Sequence, residues 1–428
     1  MFVGPPDGVP CENGGVTNWT RAVLAPSDLE PTMDPPAEVR VGGRVLAAAG
    51  EHLTVGDAYA TLEVALDRSS AVQPGDLVVI AGTMRGAALV AARVLERFAP
   101  TKGVDAHDET ARLVRRGVGP ALAARAAAVH AVRDFFDHER FLEVETPLMV
   151  PSPGLDLHLD AFAIESPPGD RPLYLITSPE YQMKRLLAGG VPRCFQIAHC
   201  FRRGERGARH NPEFTMVEWY RAFASVEEVI ADTERLVRSV VMELTGGSSV
   251  EVAGARVDVA GPFQRWTVAE AFARHAGIGA DEAISLATSD EERFFRTLVD
   301  TVEPALAREA RPVVLTEYPA PFASLARLSP RDPRVSERFE LYLGGIELCN
   351  GFGELTDPCE QRARLERDRA RRLAENRPAY AIDERFLAAL EEGIPPAAGN
   401  ALGLDRLVAI CVGAESIGAV QAFPIDWL

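Results

Sequence analysis

The most chemically loaded stretch of this sequence is GIELCNGFGELTD, in which Glu347 and Glu354 bracket Asn350. That is enough carboxylate to hold Mg2+ or an ammonium group, since both take oxygen donors. A second stretch, CFRRGERGARHNPEFTMVEWYR, crowds Arg202, His210, Asn211, Glu213, Glu218 and Tyr220 into a charged hairpin between two apolar runs. Glu218 and Tyr220 alternate with apolar neighbours in the second run and so share one face of a strand. Polar groups turned inward at that spacing need a ligand or a partner to offset their desolvation. In a third stretch, GNALGLDRL, Gly399 and Gly403 permit close backbone approach, and Arg406 falls in the first turn of a helix. A guanidinium is a planar fork suited to phosphate oxygens. Taken singly, each pattern could equally be structural.

The elements that must position these residues can be read from periodicity. Residues 1–36 are rich in Gly, Pro, Asp and Asn without a hydrophobic period, which predicts a disordered arm. Residues 37–98 contain strand-like runs broken by Gly75, Gly82 and Gly86, which predicts a small all-β barrel close to an OB-fold. With few aromatics, Tyr59 among them, and balanced charges, that barrel makes a poor base-stacking platform. A linker over 99–119 leads to a catalytic domain over 120–428. Leu122, Val129, Val132, Phe135 and Phe136 recur at helical spacing, and FLEVETPLMV reads as a strand interrupted by Pro147. A helix runs from Val226 to Leu244 and stops at Gly246, and Thr267 with Glu270 forms a capping box. Further strands fall at PVVLTEY and RFELYLGGIEL, before a charged helix from Glu360 to Glu375. The mixture predicts an α+β catalytic domain.

Composition narrows the function. The net charge of −17 argues against broad coating of nucleic acid, which demands clustered Lys and Arg. Among 45 basic residues only Lys102 and Lys184 are lysines. Lys184 is therefore either an ammonium wanted at that point or a solvated surface residue. Six scattered cysteines, with no C-x-x-C pair, predict neither a disulfide framework nor a zinc site. No apolar run is long enough to span a membrane and no signal peptide is evident, so a cytoplasmic protein is expected.

Together and in chain order, FLEVETPLMV, then CFRRGERGARHNPEFTMVEWYR, then GIELCNGFGELTD with GNALGLDRL, resemble motifs 1, 2 and 3 of the class II aminoacyl-tRNA synthetases, in the lysyl branch. The resemblance spans about residues 120–428 and implies that family's core, an antiparallel sheet flanked by helices. Within the branch, TSPEYQMKRLLAGG, GLDLHLDAF and Ala401 are more similar to the elongation factor P–(R)-β-lysine ligases than to the synthetases. Carried over residue by residue, the resemblance implies ATP and Mg2+ as cofactors, with Arg202 on the α-phosphate and Arg406 on the terminal phosphate. Asn211 and Phe214 would seat the nucleotide, and Leu348 and Gly403 would offer backbone contacts. Glu347 would serve ATP through Mg2+, with Glu354 as the second carboxylate on the metal. Tyr220 and Glu354 would hold the distal ammonium of a lysine-like substrate. Ser178 and Glu180 would lie near its other amino group, and Asn350 and Ala401 would also line the substrate site. In this sequence Gly204 stands where the motif 2 glutamate is usual, and Glu205 follows it. The implied partners are elongation factor P as acceptor and a second copy of the chain, with no membrane and no tRNA. A divergent lysyl-tRNA synthetase is the alternative, favoured by the N-terminal barrel.

Overall fold

The structure is a computed structural model that describes residues 23–29, 38–101, 103 and 108–428. It divides into two compact units, Met1–Pro120 and Ala121–Leu428.

In the first unit, β1 (Glu38–Ala49), β2 (His52–Gly56), β3 (Thr61–Leu66), β4 (Leu77–Arg85) and β5 (Ala88–Phe98) close into a barrel in the order β1-β2-β3-β5-β4. Every second residue points inward, so Val39, Val41, Val45, Leu53, Val55, Leu62, Val64, Ile80 and Leu89 form its core. Part of the expected disordered arm is ordered. Leu24 donates its N–H to the Arg40 carbonyl at 2.9 Å and packs on the barrel core, and Pro26–Asp28 forms a helical turn. The remainder of that arm lies outside the described residues.

The stretch expected as a linker contains a π-type turn at Ala111–Arg115 and the start of α1 (Val118–His138). β6 (Leu142–Glu143) follows. β7 (Met149–Val150), β8 (Ala163–Ile164) and β9 (Leu173–Leu175) make a small separate sheet, so Pro147 divides the expected strand into two short ones. Next come α2 (Glu180–Ala188), β10 (Arg193–Phe201), β11 (Glu213–Ala222) and α3 (Val226–Thr245). Gly246, at φ +65°, ends α3 as expected. A β12–β13 hairpin (Ser249–Val252, Ala255–Asp258) precedes β14 (Gln264–Thr267) and α4 (Val268–Ala276). The Thr267 hydroxyl accepts from the Glu270 N–H at 3.0 Å, completing the capping box. Then follow α5 (Ala280–Ser289), α6 (Glu291–Thr297), α7 (Glu303–Leu306), β15 (Val313–Thr316), β16 (Arg338–Leu343) and β17 (Ile346–Gly353). The chain finishes through α8 (Pro358–Ala374), α9 (Glu384–Gly393), β18 (Ala397–Gly403) and α10 (Leu404–Cys411).

The principal sheet has eight strands in the order β14-β15-β16-β17-β18-β11-β10-β6. From β15 to β10 every neighbour is antiparallel, and only the edge strands β14 and β6 pair in parallel. β11 shows what the alternation accomplishes. Val217 and Trp219 are fully buried in the core cluster that contains Val229, Leu236, Val237 and Val240 of α3. Glu218 and Tyr220, on the other set, are also buried but partner polar groups. The α+β fold with an antiparallel sheet and a small barrel is therefore the architecture observed.

Candidate active site

Antiparallel pairing brings the three sequence stretches together, because β11 lies beside β10 on one flank and β18 on the other, with β17 next. They surround a cleft of about 420 Å3 lined by Ser178, Glu180, Arg202, Asn211, Phe214, Glu347, Leu348, Asn350, Ala401, Gly403 and Arg406. Ala401 faces Glu218 across one ladder and Asn350 across the other. Tyr220 and Glu354, expected on the same wall, do not line the cleft but are buried behind it.

One end of the cleft is basic. The Arg202 guanidinium lies 4.9 Å from the centroid of the Phe214 ring, a cation–π arrangement that holds it in place. Its buried Nε has no hydrogen-bond partner, and its nearest carboxylate, Glu205, is 3.7 Å away. Gly204 adopts φ +87°, a left-handed conformation that suits glycine, and the turn it makes leaves Glu205 on the cleft wall. Arg406 is held in the first turn of α10. Its Nη1 donates to the Glu347 carbonyl at 2.9 Å and its Nε to the Arg209 carbonyl at 3.3 Å. Its Nη2 lies 2.9 Å from His210 Nε2. Burial first, and Arg406 second, lower the His210 pKa, so the neutral ring accepts that bond. Both arginines are thus fixed in place without a short carboxylate partner. Asn211 does less than expected. Its amide donates to the Glu213 carbonyl at 2.6 Å and its oxygen accepts from the Ile425 N–H at 3.1 Å, so its polar atoms brace the loop. A Cβ on Gly403 would meet Arg406 Cδ at 3.7 Å, ordinary contact, so the close approach expected there is not to the protein itself.

The other end is acidic, with one buried cation. Lys184 on α2 is 1% exposed, and its Nζ lies 2.5 Å from Glu180 Oε1 and 2.5 Å from Glu354 Oε2. The rings of Tyr220 and Phe352 are each centred 5.9 Å from that ammonium. Burial opposes its charge, but Glu180 and Glu354 overcome this and hold the Lys184 pKa above its ordinary value. Glu218 accepts from Ser178 Oγ at 2.7 Å and from the Tyr220 hydroxyl at 2.6 Å. Burial and then Glu180 push the Glu218 carboxyl upward, and burial likewise raises that of Glu354. Glu354 Oε1 is buried and has no hydrogen-bond partner. Gly399 makes this crowding possible, since a Cβ there would stand 2.3 Å from the Tyr220 ring and 2.9 Å from Glu354 Oε1. Two carboxyls, of Glu180 and Glu354, therefore share one ammonium, with a third, of Glu218, held beside them by Ser178 and Tyr220.

Glu347 belongs to a different group. Its pKa is raised by burial and then by the Glu340 carboxylate, against Arg406, Arg338 and Arg202. Glu340, on β16, accepts from the Tyr318 hydroxyl at 2.6 Å, the Tyr342 hydroxyl at 2.7 Å and Arg338 Nη2 at 2.6 Å. Arg338 also donates to Asn350 Oδ1 at 3.2 Å. Of the expected metal pair, Glu354 lies against Lys184, and Glu347 has the Glu340 carboxylate as a neighbour. Among the described residues no group of three His, Cys, Asp or Glu is placed to hold a metal unaided. One or two carboxylates with substrate phosphates are nonetheless a usual Mg2+ environment, and Glu347, on the cleft wall, is a carboxylate of that kind. Sequence reasoning gave Glu340 and Arg338 no role, since RFELYLGGIEL was read simply as a strand. No helix of the described residues is long and apolar enough to cross a membrane.

Comparison with known proteins settles the family. The model for class II tRNA synthetases (D, K and N) matches residues 103–426. The chain belongs to the class II tRNA synthetase family. Among curated members, an elongation factor P–(R)-β-lysine ligase of Klebsiella pneumoniae subsp. pneumoniae is 42% identical over 328 residues, covering 72% of this chain and 95% of the relative. Ligases of the same name from Haemophilus influenzae and Proteus mirabilis are 40% and 41% identical, each covering 71% of this chain and 95% and 94% of the relative respectively. Within the class II family the chain therefore sits in the ligase branch, and family membership implies an enzyme that uses ATP. The family match begins at residue 103, beyond the barrel of β1 to β5.

Proposed function

We propose that this chain does what the name of those ligases states, activating (R)-β-lysine with ATP and joining it to a lysine side chain of elongation factor P, in the cytoplasm. The observation that carries this reading is the pairing of two cleft arginines without a short carboxylate partner with an acidic end, where Glu180 lines the cleft, Glu218 and Glu354 are buried behind it, and Lys184 is paired to Glu180 and Glu354. The first set suits a triphosphate. The second has an excess of negative charge that a diamino acid would relieve at its two amino groups.

The chemistry follows from that placement. The substrate carboxylate attacks the α-phosphorus and pyrophosphate leaves, giving an acyl-adenylate. Charge gathers on the phosphate oxygens as this happens, and Arg202 and Arg406 are fixed beforehand where they can stabilise it. Glu180 and Ser178 orient the substrate from the acidic end, so that the reaction is largely one of alignment. Glu347, on the cleft wall, would help to hold Mg2+, which would neutralise charge on the phosphates. No side-chain nucleophile takes part. In the second step the acceptor amine attacks the acyl carbon, loses a proton and expels AMP.

A homodimer is part of the proposal. Leu142, Leu148 and Met149, in and around β6 and β7, are exposed large apolar residues in one short stretch, a surface suited to a second copy. The five described cysteines are free, in keeping with a reducing compartment. A lysyl-tRNA synthetase is the second reading, and the β1–β5 barrel is what favours it. ATP–pyrophosphate exchange tests the first step of either: exchange dependent on (R)-β-lysine or lysine is expected, and none with both would refute activation of a lysine-like acid.

A further inference from the structure

Lys184 has no place in the chemistry above. It is nevertheless one of two lysines in a chain with 45 basic residues, and it is almost completely buried. Its Nζ touches Glu180, which lines the cleft, and Glu354, which lies behind it. Each of those carboxylates keeps an oxygen that Lys184 does not touch, and the one on Glu354, Oε1, is buried with no hydrogen-bond partner. A buried acceptor in that condition is costly unless a ligand completes it. Because one ammonium is 2.5 Å from both carboxylates, their bonded oxygens stand no further apart than twice that distance. The Tyr220 and Phe352 rings, each centred 5.9 Å from the ammonium, flank it at cation–π range.

We propose that Lys184 is a specificity-determining positioning residue, a resident ammonium that locks Glu180 and Glu354 at a fixed separation and so sets the spacing between the two amino groups the pocket accepts. This rests on the diamino-acid reading given above and deepens it. The free oxygen of Glu354 takes the distal ammonium, and Glu180 with Ser178 takes the other amino group. The two amino groups of (R)-β-lysine are separated by one carbon fewer than those of α-lysine, so a short bridge between the reading carboxylates favours the β isomer. Lysine suits this role where arginine does not. An ammonium is a compact point charge, whereas a guanidinium is a wide planar fork that would push the carboxylates apart.

The test is ATP–pyrophosphate exchange by the full chain with (R)-β-lysine and with α-lysine, compared between the natural sequence, Lys184→Arg and Lys184→Ala. One carbon in a pocket is worth roughly 10-fold or more in kcat/KM. Lys184→Arg should therefore lower the β-over-α ratio by roughly 10-fold while leaving the KM for ATP unchanged. Lys184→Ala should lose the same discrimination and regain it with propylammonium, which replaces the missing ammonium. A β-over-α ratio equal to that of the natural sequence in either folded variant overturns the proposal. Loss of the fold in both variants also overturns it, making Lys184 a structural counter-ion. Failure of the unaltered chain to activate either diamine is a separate result, which removes the function reading itself.

Discussion

The ammonium of Lys184 and a carboxylate oxygen of Glu354 meet at 2.5 Å with both side chains 2% exposed, although one is carried by α2 and the other follows β17. Removing one partner of such a pair leaves a buried charge uncompensated, at a cost of about 3–5 kcal/mol. Lys184→Met should accordingly destabilise the catalytic unit by about that amount in chemical denaturation. The double variant Lys184→Met/Glu354→Gln should recover part of the loss. A double variant less stable than the single one would show that the pair is not coupled.

The two cleft arginines carry the second prediction. Arg202→Ala and Arg406→Ala should each lower the rate of adenylate formation by roughly 100-fold or more, since each removes a preorganised donor to developing charge. Thermal unfolding should remain cooperative in both. Pyrophosphate exchange near the unaltered rate in either variant would contradict the phosphate assignment.

Glu303 provides a prediction on pH. Its carboxyl is raised to about 7, by burial first and by Glu340 second. The folded state therefore holds a proton that the unfolded chain releases at lower pH. Stability from this group is fully present below the ordinary glutamate range and is lost as pH rises to about 7. Glu303→Gln removes the titration. Its melting temperature should fall less than that of the natural sequence between about pH 5 and pH 8. Equal falls would show that Glu303 does not take up the proton.

Much of this site was legible in the sequence, and the unread part has a physical cause. The alternation of Glu218 and Tyr220 with apolar neighbours correctly placed both inward, because a strand has a period of two and the opposite face packs on α3. Arg202, Glu347 and Arg406 were marked by residue type and motif, and all three line the cleft. Lys184 was left open between a wanted ammonium and a surface residue. Only the fold could decide, since its partner Glu354 is far away in sequence. The cation that Glu354 meets was hidden for the same reason. Glu347 lies on β17 and Glu354 just after it, yet Glu354 finds its cation on α2 and Glu347 finds its neighbour on β16. The ordered contact of Leu24 with the barrel was hidden by a composition that otherwise predicts disorder.

The barrel should be dispensable for activation. All residues assigned to the cleft lie in the second compact unit, Ala121–Leu428. A chain lacking residues 1–107 should fold and should support pyrophosphate exchange at the unaltered rate. A folded truncation without exchange would show that the catalytic unit depends on the barrel.

The central claim is that the activated amino acid ends on a protein amine. Its most direct test offers labelled (R)-β-lysine, ATP and Mg2+ to the chain, with elongation factor P and lysine tRNA present together. The account predicts label on elongation factor P that survives alkali, as an amide does, and none on the tRNA. Label carried to the tRNA as an alkali-labile ester, with no transfer to the protein, would contradict it.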